Sequence, residues 1–115
     1  MAQSLSIGVV QITGNYTIPN RVTYVSCYNS SSITVTLPAN PRRNQVLFIK
    51  RVNSSTVNVN ANGRQIIANG GPQNTREINP RGLTLMLVWD GSFWQSNGLK
   101  KDKRKLKPLV YHMNI

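Results

Sequence analysis

Acidic side chains are nearly missing from this 115-residue chain, where Glu77, Asp90 and Asp102 stand against fourteen lysines and arginines. The resulting formal charge of +11 and pI near 10.8 bear on partners and solubility, not on fold. Histidine and cysteine are equally scarce, with one His112 and one Cys27. General acid–base work needs two positioned titratable groups, and a metal centre needs three or four ligands. This inventory supplies neither from one chain, so no enzymatic activity, small-molecule substrate, cofactor or metal is expected. A lone cysteine excludes an intrachain disulfide, and Cys27 reads as a small buried hydrophobe. No apolar run approaches the length of a membrane span, and no basic stretch followed by an apolar one opens the chain. The expectation is a protein that is not secreted, made in a reducing compartment, with no membrane partner. Asn15, Asn29 and Asn53 open Asn-x-Ser/Thr triplets, which in that setting are turn and strand residues. Helical periodicity over eleven or more residues is also lacking before residue 99.

What the chain has is short β-compatible runs between turn residues. Its hydrophobic content is 39% and its charged content 15%, and much of the remainder is Asn, Ser and Thr. Strands are predicted over 5–12 (interrupted at Gly8), 16–18, 22–28, 33–37, 45–51 and 56–60. Weaker ones fall at 65–68 and 75–78, around a loop of Asn69, Gly70, Gly71 and Pro72. Asn62–Gly63 and Asp90–Gly91 are tight-turn signals, because both central positions of such a turn need positive φ. The second joins Leu83-Thr84-Leu85-Met86-Leu87-Val88-Trp89 to Ser92-Phe93-Trp94-Gln95 as a closing hairpin. Leu83, Leu85, Leu87 and Trp89 share one face at period two, and Met86 and Val88 share the other. Apolar residues on both faces ask for cover on both sides, and a second copy of the chain is the cover expected. Leu83, Leu85, Leu87, Trp89 and Trp94 are accordingly assigned to an oligomer interface. The echo of Ser31-Ser32-Ile33-Thr34-Val35 in Ser54-Ser55-Thr56-Val57 is too short to define a repeat. The fold class is all-β, a compact sandwich- or barrel-like module of short antiparallel strands over residues 1–98.

Composition changes abruptly after Gly98. Residues 99–107 hold six basic residues and one acid, and residues 109–115 are apolar again beyond Pro108. Residues 99–115 therefore form a basic C-terminal segment with an apolar end. Clustered cations neutralise phosphates and release counterions without reading sequence. Lys100, Lys101, Lys103, Arg104, Lys105 and Lys107 are the primary candidates for nucleic-acid binding, joined on the body by Arg42, Arg43, Lys50 and Arg51. Arg21, Arg64, Arg76 and Arg81 extend the track, and Tyr16, Tyr24, Tyr28 and Tyr111 are candidates for stacking on unpaired bases. A localisation signal is the competing use of Lys-Lys-x-Lys-Arg-Lys.

Two segments carry a resemblance. Ile33-Thr34-Val35-Thr36-Leu37-Pro38-Ala39-Asn40-Pro41 followed by Gln45-Val46-Leu47-Phe48-Ile49-Lys50 resembles the strand, Leu-Pro, turn, strand unit of small β-domains in phage tail fibres and viral surface fibres. Leu87-Val88-Trp89-Asp90-Gly91-Ser92-Phe93-Trp94 resembles their closing hairpin, so the likeness covers roughly residues 31–98. Length and Asn-rich composition also resemble small proteins of large DNA viruses of protists and their virophage satellites. The resemblance implies an intertwined homotrimer, and the virion interior or a viral factory in the host cell as location. This chain departs from it at Arg42–Arg43, where such domains carry Gly or acidic residues, and in its basic extension. Both departures favour an anionic partner, DNA foremost, held mostly without sequence preference. The alternative is a fibre or spike head, or a minor structural protein, that binds a glycan or a capsid partner.

Overall fold

Alternation of apolar and polar residues sets the architecture. In the computed structural model, which describes residues 8–68 and 71–96, eleven strands form two sheets and no helix occurs among the described residues. The strands are β1 (Val9–Ile12), β2 (Tyr16–Thr17), β3 (Tyr24–Cys27), β4 (Ile33–Thr36), β5 (Val46–Arg51) and β6 (Val57–Asn60). They continue with β7 (Ile66–Ala68), β8 (Gly71–Gln73), β9 (Thr75–Ile78), β10 (Thr84–Trp89) and β11 (Trp94–Ser96). One sheet has seven strands in the order β1-β3-β5-β10-β11-β7-β8, and the other has four in the order β2-β4-β6-β9. The chain is all-β, as its alternation predicts.

Strand direction differs from the antiparallel expectation. The first six strands alternate between the sheets, so β1, β3 and β5 run parallel in one and β2, β4 and β6 run parallel in the other. Parallel neighbours need a crossover, and here each crossover is itself a strand of the opposite sheet. Tyr24 pairs with Phe48 and Ile33 with Val57, so both members of successive coils are 24 positions apart. Residues 31–35 and 54–57 thus lie on two stacked coils, but the pairing sets Val35 opposite Val59 and Thr34 opposite Asn58, a register that the echo of residue types does not follow. Antiparallel β10, β11 and β9 close the stack against β5 and β6.

Side chains of equal phase in the coils form columns between the sheets. Val10, Val25 and Ile49 align in one column, and Ile33, Val57 and Ile78 align across the facing sheet. Val25, Ile49, Val57, Val59, Leu85 and Leu87 are completely buried there. Burial of this kind stabilises by about 25 cal/mol for each Å² of apolar surface withdrawn from water.

Two turns refine the expectation. Asn62 and Gly63 both take positive φ (56° and 86°), and Arg64 N–H donates to the Ala61 carbonyl at 3.2 Å. That is the expected tight turn, but it joins strands of two different sheets and makes no hairpin. The β10–β11 hairpin exists with Trp89 opposite Trp94, yet its loop spans residues 90–93 and only Gly91 has positive φ, at 103°. Asp90 explains the longer loop, because its Oδ1 accepts from the Ser92 and Phe93 N–H groups at 2.8 Å each. Strand β8 was expected as loop. It lies at a sheet edge, where Pro72 needs no N–H to donate.

Candidate nucleic-acid interface

Residues 100–107, the centre of the sequence-based site, lie outside the described residues, as do Tyr111, His112 and the boundary at 98/99. The body carries the part of the site that can be built. Loops 18–23, 37–45, 61–65 and 90–93 meet at one end of the sandwich, where β3 and β5 begin and β10 ends. Asn20 Nδ2 donates to the Asn40 carbonyl at 3.1 Å, tying the first two loops. Asn62 Nδ2 donates to the Leu37 carbonyl at 2.9 Å, and Asn44 N–H donates to the Trp89 carbonyl at 2.8 Å. Ile18, Val22, Leu37 and Ala61 anchor the first three loops in the core, and these bonds to backbone carbonyls tie the loops to one another.

Four arginines sit on this frame. Arg21, Arg42, Arg43 and Arg64 are all exposed, one on the first loop, two on the second and one on the third. Arg64 donates from Nη2 to the Ala39 carbonyl at 3.0 Å and lies over the Trp89 ring, 5.5 Å from its centroid. The indole face attracts the cation and fixes the direction of the guanidinium. Arg43 packs on the hairpin loop, where a Cβ built on Gly91 would stand 2.7 Å from its Nη1. Asp90 is the one acid of these four loops. Its carboxyl is held below the usual carboxylate range, first by the Phe93 N–H, then by Gln95 and Ser92, and more weakly by the charge of Arg43. Asp90 is thus spent on its own loop, and among the described residues of these loops no other acid faces the cations.

The other candidates are dispersed. Arg51 leaves the site altogether. Leu47, Ile49 and Arg51 share the inward phase of β5, and Arg51 is buried in the column of Ile12 and Cys27. Its guanidinium donates to the carbonyls of Asn53 and Ser54 on one bend and of Ile78 and Asn79 on another. A side chain so committed offers nothing to a phosphate. Lys50 is half-buried on the outer face of the large sheet, level with Ser26 and Thr84, and Arg81 is exposed at the end opposite the four arginines. Arg76 takes an inward phase on edge strand β9, where burial disfavours its charged form and its Nε has no hydrogen-bond partner among the described residues.

The interface assignment also changes. Leu85, Leu87, Trp89 and Trp94 fill the interior of the chain itself, and Leu83 packs against that core. Side chains withdrawn from water by their own sheets have no surface left for another copy. Residues on the other face of β5 and β10, among them Val46, Phe48 and Val88, are the ones that look outward. Among the tyrosines, Tyr16 packs on the core, Tyr24 stacks on Phe48 at 5.8 Å, and Tyr28 is 41% exposed. Among the described residues no three of His, Cys, Asp and Glu gather into a possible metal site. The signal that groups Arg21 and Arg64 with Arg42 and Arg43 is topological: coils of alternating sheet return every second loop to the same end.

No protein-family model matches the chain. No curated protein sequence shows significant similarity to it.

Proposed function

We propose that this chain binds nucleic acid, DNA foremost, without sequence preference, by gripping phosphates with the arginines of one end and with the basic segment 100–107. The observation that carries the reading is the set of Arg21, Arg42, Arg43 and Arg64 exposed on loops of one end, with Asp90 the one acid there. Guanidinium groups suit phosphate because their planar donors meet two oxygens at once. No helix is present among the described residues to enter a major groove, so contacts to the backbone, not to base edges, are what this end offers. Threefold assembly is not required, since one chain already gathers four cations. The setting in the virion interior or viral factory belongs to the same proposal and rests on the resemblances to viral proteins alone.

Fluorescence anisotropy of a labelled duplex at several salt concentrations tests the reading. Each phosphate contact contributes about −0.9 to the slope of log affinity against log salt. Replacing Arg42 and Arg43 together by alanine flattens that slope by about 2, and deleting residues 100–107 flattens it by about 5. Two unrelated duplex sequences bind alike. Unchanged slopes in both variants would return the chain to the fibre-head alternative, with a glycan or capsid partner.

A further inference from the structure

The outer face of the seven-stranded sheet is apolar where solvent would favour polar residues. Val9, Tyr24, Phe48 and Met86 stand in register across β1, β3, β5 and β10. Val9 is 60% exposed, and Tyr24 and Phe48 are half-buried. A solvated sheet face ordinarily presents polar residues, as Thr34, Thr36, Asn58 and Asn60 do on the smaller sheet. The Tyr24 and Phe48 rings lie 5.8 Å apart between centroids and are inclined to each other by 26°. Two near-parallel rings on neighbouring strands make a surface on which further flat rings stack.

Charge frames these rings. Strands β3 and β5 both start from the end that carries the exposed arginines: Arg21 precedes Tyr24 by three positions, and Arg42 and Arg43 lie on the loop that feeds β5. On the far side of the rings, Lys50 and Ser26 pair on the same outward phase, about 7 Å beyond Phe48 along the strand. Cations thus stand on both sides of the aromatic row. The described acids are elsewhere. Glu77 is on the smaller sheet opposite Asn58, and Asp90, in the hairpin loop, accepts from Gln95 Nε2 at 2.8 Å. A second copy of the chain would bring the same +11 to this face and be repelled.

The occupant that suits this face combines planar apolar groups with regularly spaced negative charge. We propose that the outer face of the large sheet binds single-stranded DNA, with unpaired bases stacked on Tyr24 and Phe48 and the flanking phosphates held by Arg42, Arg43 and Lys50. The inference rests on the phosphate-gripping reading and adds what the ligand must expose. Duplex DNA keeps its base faces inside its own stack, whereas a single strand offers them to aromatic side chains. Every base has such a face, so stacking carries no sequence preference. The arginine end serves both polymers, and the rings serve only the single strand.

Fluorescence anisotropy of the full chain with labelled oligo(dT), and with a duplex of equal length, is the test. Tyr24→Leu combined with Phe48→Leu keeps the face apolar and removes both aromatic surfaces. This variant should bind oligo(dT) on the order of tenfold more weakly, while its duplex affinity and both salt slopes stay at wild-type values. Tyr24→Trp keeps an aromatic face and should retain the wild-type affinity for oligo(dT). Oligo(dT) affinity indifferent to the leucines, with salt-dependent duplex binding intact, would overturn this proposal and leave phosphate gripping standing. Equal losses on both polymers would overturn it as well. So would a dimer, seen by light scattering, that the leucines dissociate and oligo(dT) does not, because the face would then belong to a second copy. A flat salt slope on both polymers would remove the phosphate reading itself, and this inference with it.

Discussion

Arg51 shows how far a single residue's charge can mislead. Counted by charge it belongs with Lys50 in a phosphate track, yet its phase in β5, shared with Leu47 and Ile49, turns it inward. Its donors satisfy carbonyls on two bends, so Arg51→Met leaves buried acceptors unpaired, at a cost of about 1–3 kcal/mol for each acceptor left without a donor. Urea unfolding of this variant should show a loss of at least about 2 kcal/mol, while the folded fraction keeps the wild-type salt slope for DNA. A stable variant with weakened DNA binding would restore Arg51 to the surface. Asp90 makes a second residue-scale prediction. Its carboxyl titrates below the ordinary range in the folded chain, so its stabilisation of the loop is complete above the unfolded-state value of about 3.9. Stability from this group is lost as pH falls through the lower, folded value. An NMR titration should find the Asp90 carboxyl ionised at pH 4, with the Ser92 and Phe93 amides shifting only in stronger acid. Amides that shift already at pH 5 would contradict it.

Strand positions were legible because alternation is local, and strand partners were not because pairing is long-range. Val57 and Val59 point inward under either strand direction, so period two could not distinguish the coil from a meander. The 24-position spacing of the coils leaves little trace in residue identity, because coils preserve phase more strictly than identity. Residue types conceal the match: Cys27 stacks on Arg51 and Leu37 on the coil that holds Ala61. One feature of the bends did keep its identity. Asn29 and Asn53 are 24 positions apart, and Asn53 Nδ2 donates to the Asn29 carbonyl at 3.3 Å. At this scale the face assignment of β10 is open to measurement. Leu87→Ala should cost about 2–5 kcal/mol, whereas Val88→Ala, on the outer face, should cost less than about 1.5 kcal/mol. Equal costs that vary with protein concentration would put Leu87 back at a subunit interface.

At the scale of the molecule, coiling concentrates charge that the sequence spreads out. Arg21, Arg42, Arg43 and Arg64 are separated by as many as 43 positions, yet each lies on a loop that returns to one end. Strand β11 runs away from that end, and its last residue, Ser96, lies opposite Leu87 on the large sheet. Salt dependence of binding to duplex DNA by the intact chain is the most direct measurement. Four arginines alone ask for a slope of log affinity on log salt near −4, and with the six cations of residues 100–107 it approaches about −9. A slope near zero, or no binding in dilute buffer, would contradict the phosphate-gripping role.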